Sequence, residues 1–382
     1  MKIFNKISVL TTMLLFSSIY LQAKTNFSTP VQLDSSFGGE KDFSKNYNKT
    51  FTVTNEQLVV LANKYGKIDV KTGNSNQVVV NVKVTAKANS QTEADKTFDR
   101  INIAFSEGPT FVKTETNIEN ASGWNIWGND KSDFQIDYDV TMPAQNMLDL
   151  SNKYGNSHVA PLSNWVKIEQ KYGDFRLDGA AKTTIELAYG GGTLGSVNAL
   201  NGSVSYGKLS VSALKDVALK TKYSEFKFEK VENLSLQSSY DDYRIDDVTN
   251  LAIDSKYGDM TIGNVENLAI KSAYTDLKIK MIEKSADFQT SYGDVRINGL
   301  KNGFNDIIIK SNYTDFTIDV DPSVSYWLDM IGSYSDINKP VSFNYKVDSE
   351  NGSKREVMGY VGSQTAKSMI KARMTYGDLK LK

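Results

Sequence analysis

A carboxylate stands two residues after a tyrosine at Glu225, Asp242, Asp259, Asp276, Asp294, Asp315 and Asp336. Stacked on one another, such residues could share divalent cations, because calcium takes six to eight oxygen ligands. The alternative is a turn aspartate bonded to its own backbone. Its charge would be offset by Lys227, Arg244, Lys278 and Arg296, two residues further on. The turn role is preferred, since the Gly-Gly-x-Gly-x-Asp repeat of calcium-binding rolls does not occur. With no cysteine and one histidine, the chain can assemble neither a Cys-His pair nor a His-rich metal cluster, and no cofactor is expected. His158 falls at an outward position between Ser157 and Val159 and reads as a surface residue. Carboxylate pairs can hydrolyse glycosidic bonds. Here every carboxylate singled out belongs to a repeating column, whereas an active site should break the repeat, so no catalytic residue is assigned.

Trp124 and Trp127 lie in the Gly/Asn-rich stretch Asn120–Asp130. Large aromatics on a loop are candidate ligand contacts, because loops carry recognition and tryptophan is rarely exposed without use. The bland alternative is that they fold back as part of a cap.

The elements that must position these residues follow from one period. Tyrosine recurs at Tyr154, Tyr172, Tyr189, Tyr206, Tyr223, Tyr240, Tyr257, Tyr274, Tyr292, Tyr313, Tyr334 and Tyr376, in steps of 18, 17 six times, 18, 21, 21 and 42. The last step reads as two of 21 with one tyrosine missing. Around each tyrosine apolar residues alternate, as in Leu251, Ile253, Tyr257, Met260 and Ile262, which predicts strand, turn, strand in every unit. Gly, Ser or Thr follows the tyrosine in most corners, and Asn233, Asn250 and Asn267 mark a second bend. A 17-residue unit cannot bury its own apolar face; stacking units about 4.8 Å apart can. The expected fold is all-β, a single-stranded parallel β-helix of 17 to 21-residue coils. An antiparallel sandwich would want Asn-Gly hairpins and has no reason for constant phase. By parity with the preceding aliphatics, the tyrosines are expected to stack inward, with an exposed sugar-stacking strip as the alternative.

Residues 1–23 carry Lys2 and Lys6, an apolar run from Ile7 to Leu21 and Ala23, the pattern of a cleaved signal peptide. Residues 24–49 read as a linker. Residues 50–153 hold a first coil around Tyr65 and a strand-helix-strand cap whose helix opens on Ser90-Gln91-Thr92-Glu93, and residues 154–382 hold the coils. A hairpin excursion is expected between Val341 and Tyr360, and no stable membrane span should remain after signal cleavage. Without the two signal lysines the balance is 42 basic to 45 acidic residues, a net charge of −3, which gives nucleic acid no footing.

The stretch Asn63-Lys64-Tyr65-Gly66-Lys67-Ile68-Asp69-Val70, the segment Tyr138-Asp139-Val140-Thr141-Met142-Pro143 and the Tyr-Gly coils after it resemble the bacterial exported putative-adhesin family of β-helix proteins. That resemblance implies a binding or envelope role with no catalytic residues to carry over. The expected protein is thus an exported, non-catalytic adhesion module, located in the periplasm, on the cell surface or secreted, whose partner is a glycan or a protein. A periplasmic scaffold is the alternative, and a polysaccharide-active enzyme the third reading.

Overall fold

A computed structural model describes residues 40–119 and 133–382. The signal-like segment and the stretch that holds Trp124 and Trp127 lie outside the described residues. The first described elements are β1 (Lys41–Thr52), β2 (Leu58–Lys64), β3 (Ile68–Gly73), β4 (Gln77–Ala88), α1 (Gln91–Asp99), β5 (Ile101–Glu107), β6 (Phe111–Ile118) and β7 (Phe134–Pro143). β8 (Met147–Lys153), β9 (Ser157–Val159), β10 (Trp165–Lys171) and β11 (Phe175–Ala188) open the regular coils. β12 (Gly191–Ser205), β13 (Lys208–Lys222), β14 (Glu225–Ser239), β15 (Asp242–Ile297) and β16 (Asp306–Ile318) continue them. The chain closes with β17 (Tyr326–Ser333), β18 (Ile337–Asn338), β19 (Asn344–Asn351), β20 (Lys354–Val361), β21 (Met369–Thr375) and β22 (Leu379–Leu381).

The architecture is a β solenoid. Leu194 pairs with Val211, Val211 with Phe228 and Phe228 with Ile245, all in parallel strands and all 17 residues apart. Alternate residues of each strand point inward, so like positions stack into buried columns such as Leu234, Leu251 and Leu268. Each such side chain contributes about 1.5–3 kcal/mol by leaving water. At the second bend an amide ladder ties the coils together. Asn233 donates to Asp216 at 2.8 Å, Asn250 to Asn233 at 2.8 Å and Asn267 to Asn250 at 2.9 Å.

Both ends are capped by antiparallel strands. At the N-terminal end β6 and β7 lie in parallel beside β2 and β3, then β5 pairs antiparallel with β6, and β4 and β1 continue antiparallel from β7. α1 plugs this end with Ala94 and Phe98 buried. Its N-cap Ser90 accepts from the Glu93 amide at 3.3 Å, while the Glu93 carboxylate reaches back to the Asn89 amide at 3.0 Å. Residues 41–49 are not linker: β1 is paired with β4 along its whole length. Its outer position leaves most of its side chains in solvent, which is why its sequence lacks an apolar alternation.

The 42-residue step is not a skipped coil. It holds the β19–β20 hairpin, with β20 antiparallel on β17. The final coil then returns to lie between its predecessors, β21 pairing in parallel with both β16 and β17. Among the described residues no helix is long and apolar enough to cross a membrane.

Candidate functional site

Thirteen tyrosines, Tyr65 and the twelve of the period, sit at a corner with φ between 51° and 61°. This left-handed conformation costs a non-glycine residue about 1–2 kcal/mol. Extended backbone preserves side-chain alternation, but a left-handed residue resets it, and the tyrosines consequently point out of the solenoid. The inward stack expected from parity is therefore incorrect: the rings are 39–63% exposed. A sequence signal for this existed. The buried column three residues later varies freely through Leu209, Phe226, Tyr243, Met260, Leu277 and Val295, whereas the corner is never anything but tyrosine.

The rings stack on one another with centroids 4.6–5.0 Å apart and planes within 10° of parallel. Each pair is worth about 0.5–1.5 kcal/mol beyond its buried area, enough to offset the corner strain. Phe134 closes one end edge-on against Tyr65 at 5.4 Å. Tyr334 ends the other with one face open, and it is the most exposed ring at 63%. Because neighbours cover the faces of interior rings, the ladder presents edges and phenolic hydroxyls to solvent. A sugar cannot stack on those interior faces.

The carboxylate column runs alongside, and Asp378 and Asp174 extend it beyond the positions picked out by sequence. Most of its bonds run to the adjacent coil, while Asp336 also accepts from the Ile337 amide in its own turn at 2.7 Å. Asp242 accepts from the Asp259 amide at 3.0 Å, Asp276 from that of Asp294 at 2.9 Å and Asp315 from that of Asp378 at 2.8 Å. The bases expected to offset this charge turn away from it: Lys227 pairs with Glu229, Arg244 with Asp246 and Arg296 with Asp319. Among the described residues the column's ion pair is Lys208 with Glu225. The flank thus carries phenol hydroxyls beside carboxylates largely without counter-cations. Among the described residues no three His, Asp or Glu side chains are grouped to hold a metal ion.

Behind Tyr240 the small corner residue is replaced by Asp241, which is 1% exposed. It accepts from Thr221 Oγ1 and Ser238 Oγ at 2.8 Å each, from the Ser239 amide at 3.0 Å and from the Ser224 amide at 2.8 Å. Burial pushes its carboxyl above the usual range despite these donors. An acid with a raised folded pKa contributes stability below its unfolded value, about 3.9, that is lost as pH rises through the folded value. Urea unfolding of wild type and Asp241→Asn should show the wild-type advantage shrinking from pH 4 to pH 7; a gap constant with pH would contradict this role.

His158 faces outward as expected, but it is not idle. Its Nδ1 lies 3.0 Å from Asp69 and its Nε2 2.9 Å from Asp178, stapling three successive coils at the cap junction. The Asp178 bond, opposed by partial burial and assisted by Asp69, raises its pKa. Stability from a raised histidine is fully present below about 6.5 and lost as pH rises through the folded value. Thermal melts should therefore favour wild type over His158→Gln at pH 6, with the difference fading by pH 9. An unchanged difference would show that the staple does not titrate.

An outward-cornered, capped β solenoid is a class of protein defined by its repeating surface and not by a cleft. Residues 192–382, half of the chain, match the model of one such family, and the chain belongs to the Toastrack DUF4097 family. No curated protein matches it. It is similar to a putative cell adhesion protein from Clostridium sporogenes at 10% identity, covering 88% of this chain and 99% of that one with a TM-score of 0.19. It is also similar to a putative adhesin from Bacteroides fragilis at 10% identity, with 88% and 97% covered and a TM-score of 0.26. A putative lipid binding protein from Parabacteroides distasonis is similar at 10% identity, with 88% and 96% covered and a TM-score of 0.23.

Proposed function

We propose that this chain is an exported, non-catalytic binding module of the cell envelope, a single-stranded parallel β-helix that contacts a glycan or a protein along its tyrosine-bearing flank. The observation that carries this reading is the unbroken row of outward phenols at left-handed corners. Burial does not explain why all thirteen positions keep a strained tyrosine with its hydroxyl in water. A partner on this flank would meet hydroxyls that donate or accept and carboxylates that accept, repeating at the coil spacing of about 4.8 Å. Recognition would then be polar and periodic, summed over many weak contacts in register. Trp124 and Trp127 are a second contact point in this reading. Non-catalytic action agrees with the exposed carboxylates beside the ladder belonging to a repeating column.

Protease treatment of intact cells, with a periplasmic protein as leakage control, tests the location on which adhesion depends. Cleavage while the control survives is the expected result. Protection until the outer barrier is broken would remove surface adhesion and leave a periplasmic partner or scaffold role.

A further inference from the structure

One coil enters the stack out of order. Residues 306–318 and 326–338 form consecutive coils in sequence, yet β21 and β22 lie between them, paired in parallel to β16 on one side and to β17 and β18 on the other. Tyr376 is sandwiched between Tyr313 at 4.6 Å and Tyr334 at 4.9 Å. Asp378 relays the carboxylate column, its amide donating to Asp315 at 2.8 Å and its Oδ1 accepting from the Asp336 amide at 2.9 Å. Arg373 clamps Asp329 with a 3.0 Å ion pair. Ile370, Ala372, Met374, Leu379 and Leu381 complete the buried columns.

Both walls of this slot precede the inserted coil in the chain, and each keeps other partners: β16 pairs with β15, and β17 with β20. The connection is short. Val361 lies opposite Tyr326 on one edge of β17 and Met369 opposite Trp327 on the other, so residues 362–368 cross the end of one strand, a span of about 10 Å. Trp327 Nε1 donates to the Gln364 carbonyl at 3.0 Å and the Ser363 amide to Ser325 Oγ at 3.0 Å, pinning the crossing. The coil therefore fills a gap whose two walls are both laid down by earlier residues. Its departure bares two facing strand edges whose register is set by the tyrosine rings and the aspartate relay.

We propose that the gap between residues 306–318 and 326–338 is a binding slot for a strand–tyrosine corner–strand segment, and that its ligand is the chain's own out-of-order coil, residues 369–382, acting as a re-insertable clasp. The slot fits this segment because its backbone donors, its tyrosine sandwich and its apolar columns are all complementary to it. A bare slot is also a pair of unprotected strand edges, the feature solenoid caps exist to cover.

The test uses the full chain carrying Ile370→Asp and Leu379→Asp. These place unpaired carboxylates in the core and should expel the clasp while the upstream coils hold. A labelled peptide of residues 365–382 should bind this variant at least about tenfold more tightly than it binds wild type, whose slot is filled. The same peptide with Tyr376→Ala should lose about tenfold. A folded variant that captures no peptide, or a wild type that captures it equally, overturns the proposal. Collapse of the whole fold in the variant overturns separability as well. As a second measurement, a protease site placed within residues 362–368 is cut in the otherwise wild-type chain. The freed segment should stay bound and exchange with labelled peptide faster than the chain unfolds; exchange only on global unfolding, or loss of the segment on cutting, would contradict the clasp.

Discussion

Tyr257→Val should destabilise the protein by about 2–5 kcal/mol, and Tyr257→Asn by only about 1–3 kcal/mol. Both changes remove the ring that stacks on Tyr240 at 4.6 Å and on Tyr274 at 5.0 Å. They differ in the backbone: Tyr257 has φ of 60°, which asparagine tolerates and a β-branched residue does not. The difference between the two variants in urea unfolding isolates the corner strain, and the Asn loss isolates the two stacks. Valine no worse than asparagine would mean that the corner relaxes and the left-handed geometry imposes nothing.

Phe288→Ala is expected to cost about 3–5 kcal/mol, the range for a fully buried phenylalanine. Phe288 is 0% exposed, packs edge-on against Phe316 at 5.4 Å and stands opposite Ile309 in the next coil. A solenoid couples each coil mainly to its neighbours, so the loss should not spread evenly. Hydrogen exchange should accelerate most in the strands around residues 286–318 and least in the N-terminal cap. Uniform acceleration along the chain, or a loss below about 1 kcal/mol, would contradict a quasi-one-dimensional core with Phe288 filled tightly.

The sequence made the coil readable because every coil must match the one beneath it. Leu234, Leu251 and Leu268 repeat for the same reason that Asn233, Asn250 and Asn267 do: each contacts its own counterpart. Direction was harder to read. Parity placed Tyr257 inward, and only the left-handed corner turns it out. Charge pairing does not follow from spacing either, since Arg244 has both Asp242 and Asp246 two residues away and the geometry chooses Asp246. β6 lacks a clear apolar alternation because two of its inward residues, Thr114 and Thr116, are polar; Thr116 is satisfied by Asn63 and Tyr138 at 2.9 Å each. Spatial order was beyond a period altogether. A spacing of 42 says nothing about whether Tyr376 follows Tyr334 or slips beneath it.

The flank itself is the most direct object of test. Tyr206→Asn, Tyr240→Asn and Tyr274→Asn combined in one chain keep the left-handed corners while removing three alternate rings and their hydroxyls. Binding of this variant to intact cells and to extracted envelope material should be measured beside wild type, with circular dichroism confirming that both are folded. A loss of at least about tenfold in a folded variant is the predicted result, as expected when periodic contacts are interrupted. Undiminished binding would contradict the ladder as the contact surface and direct attention to Trp124 and Trp127.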